Sequence, residues 1–319
     1  MAKNDESLIK SREVRSKILS KYGEIPKSIY KPDYSWGKHV IEFEERKQHN
    51  IAIKKHKTIS YGNTVEIELQ DGTKKEVEIK SQQQWNAYNA SSKSIRGKTG
   101  GLSTFPPALA KRIVLFYSNK GDTVLDPCAG HNSRMQVTYE LERNYIGYDI
   151  SKEFMEFNEK IKAEITGGGS QSLMFTPKNS IVLKEKSSEK LDEEDNSINM
   201  VYTSPPYWDL EYYGEEEGQI GYNHTYEEFL GGLGRIVNEC YRVLKSDSYC
   251  IFNVNDFRKN GVMYTYHSDV IDLFKKAGFK MHDVIIVEWA SAMGACFASQ
   301  VEERKITAKS HEYLIIGKK

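Results

Sequence analysis

From residue 104 onward the chain alternates strand-like and helix-like stretches, and that alternation constrains its fold more than any other feature. Pro106-Pro107 opens a helix whose Leu109, Ile113, Phe116 and Tyr117 share one apolar stripe, ended by Gly121. Proline suits the first helical turn because its fixed φ is already helical. Thr123–Asp126 reads as a short strand, Ser133–Glu142 as a helix and Tyr145–Ile150 as a second strand. Ser151 caps the next helix, which runs to about Ile165 and breaks at Gly167-Gly168-Gly169. A third strand is expected around Leu173–Thr176, then an acidic loop and a fourth strand, Ile198–Tyr202. Thr225 and Glu228 form a capping box for a helix reaching about Leu244. Strand Tyr249–Val254, helix Ser268–Ala277 and strands Val284–Trp289 and Glu312–Ile316 complete the set. Such a sequence predicts a doubly wound α/β fold, a mainly parallel sheet with helices on both faces. The last two strands have no helix between them, so one of them is expected to run antiparallel.

The residues before 104 are of another kind. Ser7 to about Tyr22 reads as a polar helix, ended at Gly23 with Pro26 beyond it, and residues 31–60 are rich in aromatics and lysine without a period. Residues 64–80 alternate strictly and turn at Asp71-Gly72, which predicts a β-hairpin. Residues 81–103 are polar and rich in Gly and Ser, a flexible connection. A boundary near residue 98 therefore separates a small N-terminal α+β region, 1–98, from a catalytic domain, 99–319. The formal net charge is zero, but residues 1–99 hold 20 Lys and Arg against 13 Asp and Glu, about +7, leaving about −7 for the remainder. A basic N-terminal third beside an acidic body fits a protein that grips phosphate with one part.

No apolar run approaches the length of a membrane span, and the opening Met-Ala-Lys-Asn-Asp-Glu does not read as a signal peptide. The expected location is cytoplasmic, with no membrane partner. Cys128, Cys240, Cys250 and Cys296 form no CxxC pair, and the eight histidines show no ligand spacing. That pattern argues for a reducing compartment without disulfides and implies no metal.

Two stretches carry chemistry. Thr203-Ser204-Pro205-Pro206-Tyr207-Trp208 follows the fourth strand, at the end of a sheet where α/β proteins place their sites. Proline lacks an N–H and fixes φ, so Ser204-Pro205-Pro206 forms a stiff arch whose carbonyls are not tied into a ladder. The arch offers hydroxyl and carbonyl acceptors to an –NH2 group, and Tyr207 offers a flat face to a planar ring. A planar ring bearing an exocyclic amine describes cytosine or adenine. Trp208, Tyr212 and Tyr213 either extend that stacking wall or wedge the gap that an extruded base leaves in a duplex, or else pack internally, while Asp209, Glu211 and Glu215-Glu216-Glu217 read as a solvated loop rather than a catalytic dyad. Asn255-Asp256 reads as a turn rather than as pocket lining. The second stretch, Val124-Leu125-Asp126-Pro127-Cys128-Ala129-Gly130, sits at the first strand-to-helix crossing. Glycine there allows close approach of a ligand, and the following helix N-terminus favours a carboxylate. Asp149 closes the second strand, where doubly wound sheets hold a ribose; with no GxGxxG before it, a nucleoside without pyrophosphate is favoured.

Ser204-Pro205-Pro206-Tyr207 resembles the catalytic motif of amino-group DNA methyltransferases, which move a methyl from S-adenosyl-L-methionine to an exocyclic base nitrogen. Asp126-Pro127-Cys128-Ala129-Gly130 resembles that family's cofactor motif, usually Asp-Pro-Phe-Ala-Gly, and Thr104-Phe105-Pro106 resembles the motif whose aromatic contacts the cofactor. Asn179 lies where the family places an adenine contact, and Lys309-Ser310-His311-Glu312-Tyr313 resembles its last-strand signature. The resemblance implies a Rossmann-like class I methyltransferase domain. It implies a cofactor site of Phe105, Asp126, Pro127, Cys128, Ala129, Gly130, Asp149, Ile150, Asn179 and Ser180. It implies Ser204, Pro205, Pro206 and Tyr207 as the catalytic set, with Trp208 and Tyr212 facing the base. His131-Asn132-Ser133-Arg134 stands where many relatives have a second glycine, and no long insert separates the motifs. Target reading is thereby left to residues 1–98, 208–224 and 290–310. Serine before Pro-Pro resembles the cytosine-N4 subgroup, whereas Asp or Asn predominates in the adenine-N6 subgroup. The expected activity is site-specific methylation of cytosine N4, flipped out of double-stranded DNA, with adenine N6 as the alternative. A silent nucleic-acid binder and an RNA or protein-amide methyltransferase are the other classes. A homodimer and a cognate restriction nuclease stay open as partners.

Overall fold

The structure, a computed structural model, describes residues 105–130, 133–167, 179–208, 210, 216–221, 224–288, 305–307 and 309–319, with shorter pieces at 16–18, 20, 28–30, 64–68 and 74–78. Strands β1 (Ile29–Tyr30), β2 (Thr64–Glu68) and β3 (Lys74–Glu78) precede helix α1 (Pro107–Tyr117). Then follow β4 (Thr123–Asp126), α2 (Ser133–Glu140), β5 (Asn144–Asp149), α3 (Lys152–Gly167), β6 (Ile181–Glu185) and β7 (Ile198–Thr203). The remainder is α4 (Tyr226–Val243), β8 (Leu244–Val254), β9 (Phe257–Lys259), β10 (Val262–Tyr264), α5 (Tyr266–Ala277), β11 (Lys280–Glu288) and β12 (His311–Lys318).

One eight-stranded sheet has the order β1-β11-β12-β8-β7-β4-β5-β6. β12 runs antiparallel to both β8 and β11. The remaining pairings are parallel. The doubly wound fold with one reversed strand is therefore as expected from the sequence. The strand order reverses between β4 and β7, which opens a crevice at their C-terminal ends, where such sheets bind ligands.

Apolar faces on both sides of the sheet build the core. Leu109, Ala110, Ile113, Val114 and Tyr117 of α1 are buried with Met200, Tyr202, Ile251 and Leu314 on one face. Phe116 falls off that stripe and is exposed at 39 %, contrary to the sequence reading. On the other face α4 and α5 bury Phe229, Leu233, Val237, Val270 and Phe274 against Val201, Phe252 and Val254. The capping box forms: the Glu228 N–H donates to Thr225 Oγ1 at 3.2 Å and the Thr225 N–H to Glu228 Oε2 at 2.8 Å.

Three features differ from expectation. The edge strand beside β5 is Ile181–Glu185, whereas Leu173–Thr176 lies outside the described residues. An edge strand buries only part of its surface, and Val182 is left 40 % exposed, so the apolar signal of Ile-Val-Leu is easily read as loop. Ile29–Tyr30, from the region assigned to a separate N-terminal part, extends the sheet beside β11, with the Ile286 N–H donating to Ser28 O at 2.8 Å. A hairpin also forms from β9 and β10, turned by Asn260 and Gly261, both at positive φ. β2 and β3 pair as the expected antiparallel hairpin. The Asp71-Gly72 turn, the 81–103 connection, the boundary near 98 and most of the Ser7–Tyr22 helix lie outside the described residues. Among the described residues no helix is long and apolar enough to cross a membrane, and none cluster as metal ligands.

Candidate active site

β7 is buried at its C-terminal end and hands the chain to the proline arch. Thr203 Oγ1 donates to Asp126 Oδ1 at 2.7 Å, which ties the arch to the end of β4. Pro205 is buried, while Ser204, Pro206 and Tyr207 are half-buried at the rim. The Pro206 carbonyl accepts from Tyr266 Oη at 3.1 Å. Burial pushes the Tyr266 phenol well above its ordinary pKa, so it stays a donor. Tyr207 meets the same ring edge-on at 5.8 Å. Ser204 Oγ donates to Asn253 O at 3.4 Å, near the limit of a hydrogen bond, so the hydroxyl is readily given up to a ligand. Asn253 is 3 % exposed and donates from Nδ2 to Glu312 Oε2 at 3.1 Å, while its Oδ1 has no partner.

Beside the arch lies the loop after β4. Gly130 has φ +49, a left-handed backbone that favours glycine. Its N–H donates to Asp149 Oδ2 at 2.8 Å, and the Ser151 N–H donates to Asp149 Oδ1 at 2.8 Å. Asn158 on α3 holds the Gly130 carbonyl at 2.8 Å through Nδ2, and its buried Oδ1 has no partner among the described residues. Burial raises the Asp149 carboxyl to about 6; the Ser151 and Gly130 N–H groups oppose the rise, and the Asp126 and Glu216 charges add to it. Glu216, assigned by sequence to a solvated loop, instead has a buried Oε2 with no partner among the described residues. Buried acceptors without partners are costly unless a ligand satisfies them. Acceptors and carboxylates converging beside Gly130 fit a ligand that brings hydroxyls and positive charge, as S-adenosyl-L-methionine does.

Several sequence assignments change in the structure. Asp126 is fully buried and accepts from Arg134 Nε at 2.6 Å, Tyr145 Oη at 3.0 Å, Thr203 Oγ1 and the Cys128 N–H. Its lone pairs are thereby engaged within the protein, where it ties together β4, α2, β5 and β7. Asn179 and Ser180 precede β6, at the end of the parallel strands opposite to Gly130 and Ser204. Asn179 Nδ2 donates to Tyr139 O at 2.8 Å, and Ser180 Oγ donates to Asn144 Oδ1 at 3.1 Å. Both are structural ties at the end of the sheet away from Gly130 and Ser204. The end of β6 that faces the crevice is instead Glu185, paired in register with Asp149. Trp208 turns inward through a left-handed backbone, φ +52, is 8 % exposed and donates to His224 O at 2.8 Å. It packs on Tyr226 and Tyr264 and cannot extend a stacking wall.

Phe105 is also inside, edge-on to Tyr202 at 5.5 Å with the Arg134 guanidinium 5.0 Å over its ring. Pro127 and Ala129 are buried in the loop, and Ile150 is half-buried after Asp149. Burial, with Asp126 and Asp149 near it, pushes the Cys128 thiol well up, so it stays neutral and is no nucleophile. Tyr212, Tyr213, Asp209, Glu211, His131, Asn132, Thr104 and Cys296 lie outside the described residues. Asp256, read as a turn, is buried and accepts from the His267 N–H at 3.1 Å, with Lys309 Nζ 3.6 Å away. Arg134, Asn158, Asn253 and Tyr266 escaped the sequence reading. Their positions in α2, α3, β8 and α5 carry no local motif, and only the fold brings them to the crevice.

Comparison with known proteins shows the family of the chain. The sequence model of a DNA methylase family, the N6 and N4 type, matches residues 10–160 and 198–319. The type II methyltransferase M.MwoI of Methanothermobacter wolfeii is 39 % identical over 101 residues, covering 29 % of this chain and 14 % of the relative. The type II methyltransferase M.MthZI of Methanothermobacter thermautotrophicus is 30 % identical over 157 residues, covering 42 % of this chain and 43 % of the relative. This chain thus spans less than half of either relative's length. A crystal structure of a methyltransferase from Methanosarcina mazei aligns with a TM-score of 0.42 and 13 % identity, over 68 % of this chain and 99 % of its own. With the family match covering most of the chain and the arch and glycine loop side by side, this protein belongs to the N6/N4 DNA methylase family.

Proposed function

We propose that this chain methylates the exocyclic N4 of a cytosine flipped out of double-stranded DNA, with S-adenosyl-L-methionine as methyl donor. The observation that carries the reading is the Ser204-Pro205-Pro206-Tyr207 arch, set at the crevice beside Gly130 and Asp149 with its serine weakly engaged. When bound, the cofactor supplies an electrophilic methyl on a positively charged sulfur. Asp149 would hold its ribose, and Asn158 Oδ1 and Glu216 Oε2, which have no partner among the described residues, would accept from its remaining donors.

A base amine is a poor nucleophile because its lone pair is delocalised into the ring. Ser204 Oγ and the Pro205 carbonyl accept its two N–H groups, draw the nitrogen towards tetrahedral geometry and aim its lone pair. Positioning and fixed dipoles lower the barrier, with no covalent enzyme intermediate. Tyr207 stacks on the extruded base, a contact worth about 1–3 kcal/mol. The surplus proton on nitrogen leaves to water past the half-exposed Ser204 hydroxyl. Serine at the head of the arch favours cytosine N4 over adenine N6.

The test is methylation of DNA from a methylation-deficient strain, followed by digestion to nucleosides and mass analysis. N4-methyldeoxycytidine is the expected product. N6-methyldeoxyadenosine would transfer the assignment to the other subgroup, and C5-methylated cytosine or no product would overturn the mechanism.

A dependence on pH follows from Asp149. Its carboxyl is raised from 3.8 to about 6, so a ribose that donates to the carboxylate meets the competent form above that pH. Affinity for S-adenosylhomocysteine should be flat above pH 7 and fall as pH drops through about 6, by at most about tenfold per unit. The effect on folding has the opposite sign: this group's stabilisation is present below about pH 4 and lost as pH rises through about 6. Isothermal titration across pH 5–8 checks the affinity, and Asp149→Asn should abolish the slope.

A further inference from the structure

The β9–β10 hairpin leaves the sheet immediately after β8, and its inner face is keyed to the residue that follows Tyr207. Phe257 and Tyr264 stack on each other at 5.2 Å and 16°, and Trp208 packs on Tyr264 at 5.2 Å. The Lys259 ammonium lies 4.2 Å over the Trp208 ring. Trp208, held also by the His224 carbonyl, thus joins the hairpin to the end of the arch. The tip is different. Arg258 is exposed and stands opposite Met263 on one face of the ladder, Val262 stands opposite Lys259 on the face of Tyr264, and Val262 and Met263 are 55 % and 41 % exposed, so the tip is apolar on both faces. Among the described residues these two are the sole large exposed aliphatics adjacent in sequence. Residues 257–264 contain Arg258 and Lys259 and no acid.

We propose that this hairpin is a DNA wedge, in which Val262 and Met263 enter the base stack at the place vacated by the flipped nucleotide and Arg258 meets the adjoining phosphate. The inference rests on the methyltransferase reading and names the surface that makes flipping possible. A vacated position is walled by two apolar base faces and edged by phosphates. An apolar tip bordered by cations, with no carboxylate in the hairpin, matches that environment. Aliphatic side chains, methionine among them, are used in this way by proteins that unstack a duplex. The hairpin is fixed to the residue next to the ring that receives the base, so wedge and receptor move together.

The experiment compares wild type with a Val262→Ser/Met263→Ser double variant and with Arg258→Ala, after the methylated site has been mapped by sequencing. Single-turnover methyl transfer is measured on a fully paired duplex and on one with a mismatch opposite the target base. The double variant should be slower by about tenfold or more on paired DNA and return to within about twofold of wild type on mismatched DNA, where unpairing costs least. Arg258→Ala should weaken DNA binding and reduce the slope of log affinity against log salt by about 1. Equal losses on both duplexes, or no loss on either, overturn the wedge; the second outcome would leave the patch to a protein partner. Failure of wild type to methylate either duplex would instead overturn the methyltransferase reading itself.

Discussion

Replacing Ser204 with alanine should lower the rate of methyl transfer by about two to three orders of magnitude, the usual loss when one preorganised polar group at the reacting centre is removed. The hydroxyl is well placed for this role because its one partner among the described residues, the Asn253 carbonyl, lies at 3.4 Å and gives up little when a base arrives. Fold stability should barely change, since that bond is weak and Ser204 sits at the rim. Affinity for S-adenosylhomocysteine should also hold, because Gly130, Asp149 and Asn158 are tied to one another and not to Ser204. Rapid-quench kinetics with labelled cofactor, beside calorimetry, separates the two. A matched loss of cofactor affinity would show that Ser204 belongs to the cofactor side.

The second large effect is expected at a residue that touches neither ligand. Arg134 donates to the buried Asp126 carboxylate at 2.6 Å and to the carbonyls of Cys128 and Ala129 at 2.8 and 3.1 Å. Its side chain is 5 % exposed and that of Asp126 fully buried. Arg134→Ala leaves an uncompensated carboxylate in the interior and frees two loop carbonyls, which should cost about 3–5 kcal/mol of unfolding free energy. Urea denaturation reads that loss directly. At urea concentrations where the variant stays folded, cofactor affinity should fall too, because the loop that presents Gly130 has lost its clamp. A change below about 1 kcal/mol, the value of a surface pair, would deny the node its organising role.

Where one short signal determined the geometry, the sequence was a good guide. The Thr225 and Glu228 capping box, the arch after β7 and the reversal of the last strand all follow from residues close together in the chain. Misreadings came where the deciding partner is distant. Ile181–Glu185 is an edge strand with a weak apolar pattern, and placing it correctly moves Asn179 to the wrong end of the sheet for a ligand. For Trp208 the sequence leaves a stacking wall and internal packing equally open, and the left-handed backbone that turns the indole into the cluster around Tyr226 and Tyr264 decides for packing. Asp126 belongs to a cofactor-like motif, yet its partners come from α2, β5 and β7. Asn260-Gly261 was a readable turn signal, passed over because the flanking strands are only three residues long.

The most direct examination of the arrangement is a crystal structure of the chain with S-adenosylhomocysteine and a duplex carrying its target cytosine. The expected complex has the ribose hydroxyls on Asp149, the sulfur between Gly130 and Ser204, and the everted base against Tyr207 with its amine on Ser204 and Pro205. A cofactor bound at the Asn179 end of the sheet, or a base seated away from the arch, would contradict it.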